Sequence, residues 1–210
     1  MGVDKKKILK GFAEIHFAPF RDSEFQTPIA IDNAKSIKSE LNYESESIWA
    51  EDQIVDNDLN YAGGEGTLGV LGLSAKDLNT LYNNKLVKGG VLVKSDDEAP
   101  DGAFLFSRKK KNGYKRLYVI YACKCSPAGI NAEGIEDGKG DPSVEEVKFT
   151  VGQLENKNIY FFIDTDDSTV DSTQVTKWFK EVQEPIELES LNELRTQEVS
   201  EEKATKSKSK

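Results

Sequence analysis

The clearest hydrophobic alternation in the chain begins at Ser36, where Ile37, Leu41 and Tyr43 take one parity and Lys38, Glu40, Asn42 and Glu44 the other. A period of two with one apolar and one polar parity predicts a strand with one buried and one wet face, here from Ser36 to Ile48. From Glu51 to Gly66 the alternation gives way to Asp, Asn and Gly, after which Thr67, Leu68, Val70, Leu71 and Leu73 resume an apolar run. The pattern predicts two core strands separated by a long polar loop. Connections of this length usually have a task of their own. Trp49, Ile54, Val55 and Tyr61 in or beside the loop need something to pack on, and the expected something is another copy of the protein.

Elsewhere the chain reads as short strands with two helices. Ile15 and Phe17 oppose Glu14 and His16, predicting a short first strand over Ala13 to Phe17 that Pro19 limits. Thr27 to Ile31 is a further extended piece, closed by Asp32-Asn33. Ser74 followed three residues later by Asp77 opens a helix with Leu78, Leu81 and Tyr82 on its apolar face. Val91 to Val93 is a brief strand. Ala103 to Ser107 and Tyr114 to Cys125 flank a basic tip, Arg108 to Lys111, that turns at Asn112-Gly113, the strongest short hairpin signal. Leu117, Val119, Tyr121, Cys123 and Cys125 share one parity, yet Tyr118, Ile120 and Ala122 make the other apolar too, so this strand is expected to be central and covered on both faces. Val147, Phe149 and Val151 alternate with Lys148 and Thr150, and Ile159 to Ile163 supplies one more strand. Asp171 and Gln174 open a second helix whose stripe, Val175, Trp178, Phe179 and Val182, packs on the sheet until Pro185 ends it.

At 210 residues the chain suits one domain, expected over residues 1–185. Residues 186–210 hold mostly Glu, Lys, Ser and Thr, a composition that predicts a charged arm or disordered tail. The apolar residues Ile186, Leu188, Leu191 and Leu194 leave room for a short amphipathic arm docking on a neighbour. A net charge of -9 argues against duplex binding, although nucleic acid can pass near a negative wall without sticking. No run is apolar and long enough for a signal or a membrane span, so the product is expected to be made in the cytosol. Cys123 and Cys125, two apart in a strand, point to one face and are expected to be reduced, buried thiols.

The motifs that usually carry chemistry are weak here. Gly64 to Gly69 spells G-x-G-x-x-G, but no strand precedes it and no helix opens on it, so glycines at the base of a movable loop explain it better than a dinucleotide site. Asp164, Asp166 and Ser168 begin like a calcium loop, but Thr169 stands where glycine is required and Val175 where a carboxylate is required. His16 is the only histidine, and Cys123-x-Cys125 lacks zinc-ligand spacing, so neither a catalytic triad nor a histidine-based metal site has material to work with. With 37 acids, a carboxylate pair of the glycosidase kind does not stand out. The Arg108 to Lys111 cluster, with Tyr114, Lys115 and Arg116, meets phosphate on one reading. On the favoured one it is a soluble tip or pairs with an acidic surface on a neighbour.

With these segments placed, the order and spacing of GFAEIHFAPF, IWAEDQIVD, GGEGTLGVLGLSAKDL, GGVLVKSDDEAP, NGYKRLYVIYACKCSP and VTKWFKEVQEP resemble the major tail proteins of long non-contractile-tailed phages of Gram-positive bacteria, over about residues 8 to 185. The resemblance implies a mainly β fold, a β-sandwich of the tail-tube type with one flanking helix and a short second helix. Its inner strands would join a barrel shared between subunits. It implies a structural protein and not an enzyme, without cofactor or metal, forming hexameric rings that stack into the tail tube of a virion made in the bacterial cytoplasm. The implied partners are other copies, the tape-measure protein, tail terminator and baseplate or distal tail proteins, and DNA passing through the lumen, with no membrane. In such tubes a loop between two long strands reaches the next ring. Here Trp49, Asp52, Ile54, Asp56, Asp58 and Tyr61 take that position, while Glu40, Glu44 and Glu46 on the wet parity are the candidate lumen acids. The runner-up is a β-sandwich carbohydrate-binding or host-recognition module of a virion, which predicts an exposed aromatic platform. A two-carboxylate hydrolase is the third reading.

Overall fold

The computed structural model describes residues 5–50, 53–127, 129–130 and 144–186. The strands are β1 (Leu9–Arg21), β2 (Glu24–Phe25), β3 (Ile29–Ala30), β4 (Ala34–Ala50), β5 (Gln53–Val70), β6 (Lys85–Val87), β7 (Gly90–Leu92), β8 (Asp101–Lys110), β9 (Lys115–Ser126), β10 (Glu145–Val151) and β11 (Tyr160–Asp164). The helices are α1 (Ala75–Tyr82) and α2 (Ser172–Lys177), so the mainly β expectation with two helices holds. Nine strands form one antiparallel sheet in the order β2-β1-β8-β9-β10-β5-β4, with β3 added to β1 and β11 to β9, while β6 and β7 pair only with each other. The predicted tail beyond Ile186 and most of the loop before β10 lie outside the described residues.

The central strand is β9, and it serves two neighbours along one edge. Ile120 pairs with Tyr160 of β11, whereas Cys123 pairs with Val151 of β10. The change of partner falls at Ala122, whose φ of 47° marks a bulge where β9 gains a residue over β8 between the pairs Gly102↔Cys123 and Phe104↔Ile120. An extra residue turns every later side chain to the other face. Leu117, Val119 and Tyr121 therefore join Ala103, Leu105 and Trp178 in one core, while Cys123 and Cys125 join Phe104, Val147 and Phe149 in the other. Coverage on both faces is as expected. The single shared parity from Leu117 to Cys125 is not, because the bulge leaves no mark in the residue types.

The larger core draws on β1, β5, β8, β9, β10 and α1, which requires the sheet to curl around it. β10 is the plainest part, with Val147, Phe149 and Val151 buried and Lys148 and Thr150 exposed. Gly66 of β5 lies opposite Phe149, and a Cβ there would overlap the ring, so only glycine lets the aromatic side chain lie across the neighbouring strand. The G-x-G-x-x-G glycines are thus strand residues under close approach, correcting the movable-loop reading. α1 follows its prediction: Ser74 Oγ accepts from the Asp77 amide at 3.2 Å and the Ser74 amide donates to Asp77 at 2.8 Å, closing a capping box.

β1 is longer than expected. It runs through Pro19, which pairs with Gly102 and accepts from the Gln26 amide at 2.8 Å, because a proline costs a strand only its donor. α2 is shorter, ending at Lys177 with Trp178 as its cap. The predicted stripe still packs: Val175, Phe179 and Val182 surround a fully buried Trp178, whose indole donates to the Tyr118 carbonyl at 3.3 Å.

Candidate assembly surface

The stretch from Glu51 to Gly66, expected to be a loop, is strand over its described length. β4 and β5 stay paired from Ala34↔Val70 out to Ala50↔Gln53, so the excursion is a two-stranded arm. Polar residues hid it because a strand with both faces wet has no core to impose alternation. The arm leaves the sheet at a second bulge, where Ala62 and Gly63 oppose Asn42 and Gly63 takes φ 94°. Just beyond, Tyr43 and Tyr61 meet edge to face at 5.7 Å, and the Tyr61 hydroxyl donates to the Val151 carbonyl at 2.8 Å. Tyr61 therefore anchors the base of the arm. From Asn42 to Ser47 and from Asp56 to Asn60 every side chain is exposed, Leu59 at 67%. At about 3.3 Å per residue the arm extends roughly 25 Å past Tyr43.

The two faces of the arm differ. On one, Ser45 and Ser47 donate to Asn57 Oδ1 at 2.6 and 3.2 Å, beside Tyr43 and Leu59. The other carries Glu44, Glu46, Asp56 and Asp58, with Glu46 directly opposite Asp58. Nearer the sheet Glu40 faces Glu65. Like charges in directly opposed positions destabilise a ladder. Between Lys38 and Lys76 the chain has no lysine or arginine to offset them. The structure thus gathers the predicted lumen acids and two of the predicted loop acids onto one exposed face. Trp49 and Ile54 pair in register near the tip, and Asp52 lies outside the described residues.

β4 is also an outer strand of the sheet, with no strand beyond it among the described residues. Its free edge runs for 17 residues and offers unpaired amides and carbonyls to another chain. The groove nearest the base of the arm, about 790 Å³, lies between Phe20 and Phe25 on one side and Gly63, Gly152 and Leu154 on the other. Its ionisable lining is Glu65, Asp101, Lys124 and Glu155, with neither His nor Cys.

At the basic tip of the β8–β9 hairpin Lys109 and Lys111 are exposed, whereas Lys110, with Lys115 and Arg116 beside the tip, meets acids of the same chain and not of a neighbour. Buried Lys110 pairs with Asp166 and Asp164, Arg116 grips Asp164 through two hydrogen bonds of 2.6 Å, Asn112 donates to Asp166 at 2.6 Å, and Lys115 pairs with Glu14 at 2.7 Å. Arg116 also lies 4.2 Å over the Phe162 ring. Burial pushes the Asp164 and Asp166 carboxyls up, but Arg116 and Lys110 at Asp164, and Lys110 and Asn112 at Asp166, outweigh it and hold both below the usual value. The acids that opened a calcium-like pattern are thereby committed to cations of the chain. Among the described residues, no group of three His, Cys, Asp or Glu is placed to hold a metal.

Cys123 and Cys125 are free and buried, and burial pushes the Cys125 thiol up to about 12. His16 sits 4.6 Å from the Phe179 ring, its Nδ1 without a partner, and burial lowers its pKa. No described helix is long and apolar enough to cross a membrane. A scan against protein-family models finds no match for this chain, and a search of curated proteins finds none.

Proposed function

We propose that this chain is a structural subunit of a phage tail tube, self-associating through its sheet edge and its arm into rings that stack around a lumen. One observation carries the reading: β4 and β5 stay paired about 25 Å past Tyr43 as a two-stranded arm, every described side chain of its outer part exposed. A hairpin of two strands is marginal in water alone, so a partner surface is the economical explanation of its length. The 17-residue free edge of β4 supports lateral joining of copies, which would convert an exposed edge into a continued sheet. The exposed acids Glu40, Glu44 and Glu46 suit a wall along which DNA slides without binding.

The runner-up, a carbohydrate-binding module, draws on the exposed aromatics Tyr160 and Phe162 of β11. Phe162 is already engaged by Arg116 and by Tyr118 at 5.6 Å, leaving little flat surface for a sugar ring. The test is negative-stain microscopy of the full chain across concentrations, beside a variant in which Glu44 to Asn60 is replaced by Asn-Gly. Hollow tubes from the full chain and none from the variant would support the proposal. A full chain that stays monomeric while binding an immobilised glycan would overturn it in favour of the runner-up.

A further inference from the structure

We propose that Asn112-Gly113, at the turn of the β8–β9 hairpin, is a latent self-modification site. The closed hairpin keeps Asn112 from reacting with the amide that follows it, and the opened hairpin lets Asn112 become an acid that hinders reclosure.

An asparagine followed by glycine is prone to cyclise, because no Cβ shields the glycine nitrogen. The Gly113 nitrogen attacks Cγ of Asn112, the bond from Cγ to Nδ2 breaks, and ammonia leaves carrying the proton that the Gly113 nitrogen gives up. Water then opens the cyclic imide, at one carbonyl to give isoaspartate and at the other to give aspartate. One water is consumed and one ammonia released, and no oxidant or reductant takes part.

In the structure both reacting groups are engaged elsewhere. The Gly113 amide donates to the Lys110 carbonyl at 3.1 Å, closing the turn with Gly113 at φ 95°. The Asn112 carboxamide is tied at both ends: Nδ2 donates to Asp166 Oδ2 at 2.6 Å, and Oδ1 accepts from the Tyr114 amide at 3.2 Å. Cyclisation requires the Gly113 amide to leave Lys110 and the carboxamide to turn away from Asp166. Asp166 is itself fastened by Lys110, their side chains 7 and 3% exposed, so the restraint on Asn112 comes from a buried ion pair with an acid 54 residues further along the chain. Gly113 is exposed and Asn112 half-buried, within reach of water.

The product does not fit where the reactant did. Aspartate at 112 has no N–H to offer Asp166 and sets another carboxylate against it, where Asp166 already shares Lys110 with Asp164. Isoaspartate also adds a backbone carbon to the turn. A hairpin that has once opened for long enough therefore closes less well, and the chain keeps a covalent record of the opening.

The test incubates the full chain in mildly alkaline buffer made with heavy-oxygen water, natively and in guanidinium chloride. The chymotryptic peptide from Ser107 to Tyr114 is then weighed for the oxygen gained. Native conversion is expected to be at least tenfold slower than conversion in denaturant. Asp166→Ala should narrow that gap at least threefold and speed hydrogen exchange of the Gly113 amide, and Asn112→Asp should speed exchange around the turn. Native conversion at the denatured rate would overturn the proposal. So would an Asp166→Ala chain, folded by circular dichroism, that converts as slowly as the original, or an Asn112→Asp chain whose turn exchanges at the original rate. If Asp166→Ala does not fold, denaturant below the unfolding midpoint replaces it: conversion should rise in step with Gly113 exchange, and a flat rate would overturn the proposal.

Discussion

Two long hairpins belong to the same sheet, and their chemistry is opposite. The β8–β9 hairpin carries six cationic side chains between Arg108 and Arg116, and three of them, Lys110, Lys115 and Arg116, find Asp164, Asp166 and Glu14 within the chain. The β4–β5 arm carries acids on one face, sets Glu46 against Asp58, and has no cation along its length. Half of the cations of one hairpin are paired within its own fold, whereas the acids on the described part of the other face solvent. The contrast teaches that a charged run gains meaning only with its partners: Lys110, Lys115 and Arg116 meet acids of the same chain, while the stretch expected to be a loop is a ladder that gathers its acids on one exposed face.

Breaking the satisfied hairpin should have the largest effect. Lys110→Ala removes a buried cation and leaves Asp166 buried without it, which should cost about 3–5 kcal/mol in urea unfolding. Acid should act through the same cluster. Asp164 and Asp166 titrate below their ordinary value of 3.8 in the folded chain, so the unfolded chain takes up protons first as pH falls. Their contribution is complete above about pH 4 and lost as pH falls below it; unfolding followed from pH 6 to pH 2 should show this loss, and Asp166→Asn should reduce it. At the base of the arm, Tyr61→Phe removes the hydroxyl bond to Val151 and should cost about 1 kcal/mol, with faster amide exchange confined to the arm. Smallest of all, Asp58→Lys places an opposite charge across from Glu46 and should change stability by a few tenths of a kcal/mol, in the stabilising direction, by thermal melting. An arm variant that unfolded the chain would erase the contrast between the hairpins.

How much of this was legible depended on whether a core stood behind the pattern. β10 alternates cleanly because one face is buried and one wet, and the capping box of Ser74 and Asp77 is a local event that needs no tertiary partner. Asn112-Gly113 announced its hairpin for the same reason. The outer half of β5 was missed because both faces are solvated, so Asp56, Asn57, Asp58 and Asn60 read as loop residues. The bulges at Ala122 and Gly63 depend on long-range register, and Lys110 found its acids across more than 50 residues of sequence. Of the candidate surface, the acids were visible individually. Their union on one face required knowing that the arm is a ladder.

The absence of lysine and arginine from the arm has a practical consequence for proteolysis. Trypsin finds no bond to cut between Lys38 and Lys76, whether or not the arm is covered. A glutamate-specific protease finds Glu40, Glu44 and Glu46 along an exposed strand. The same preparation should therefore keep its arm under one enzyme and lose it under the other, and protection from the second would report the moment at which a neighbour covers it.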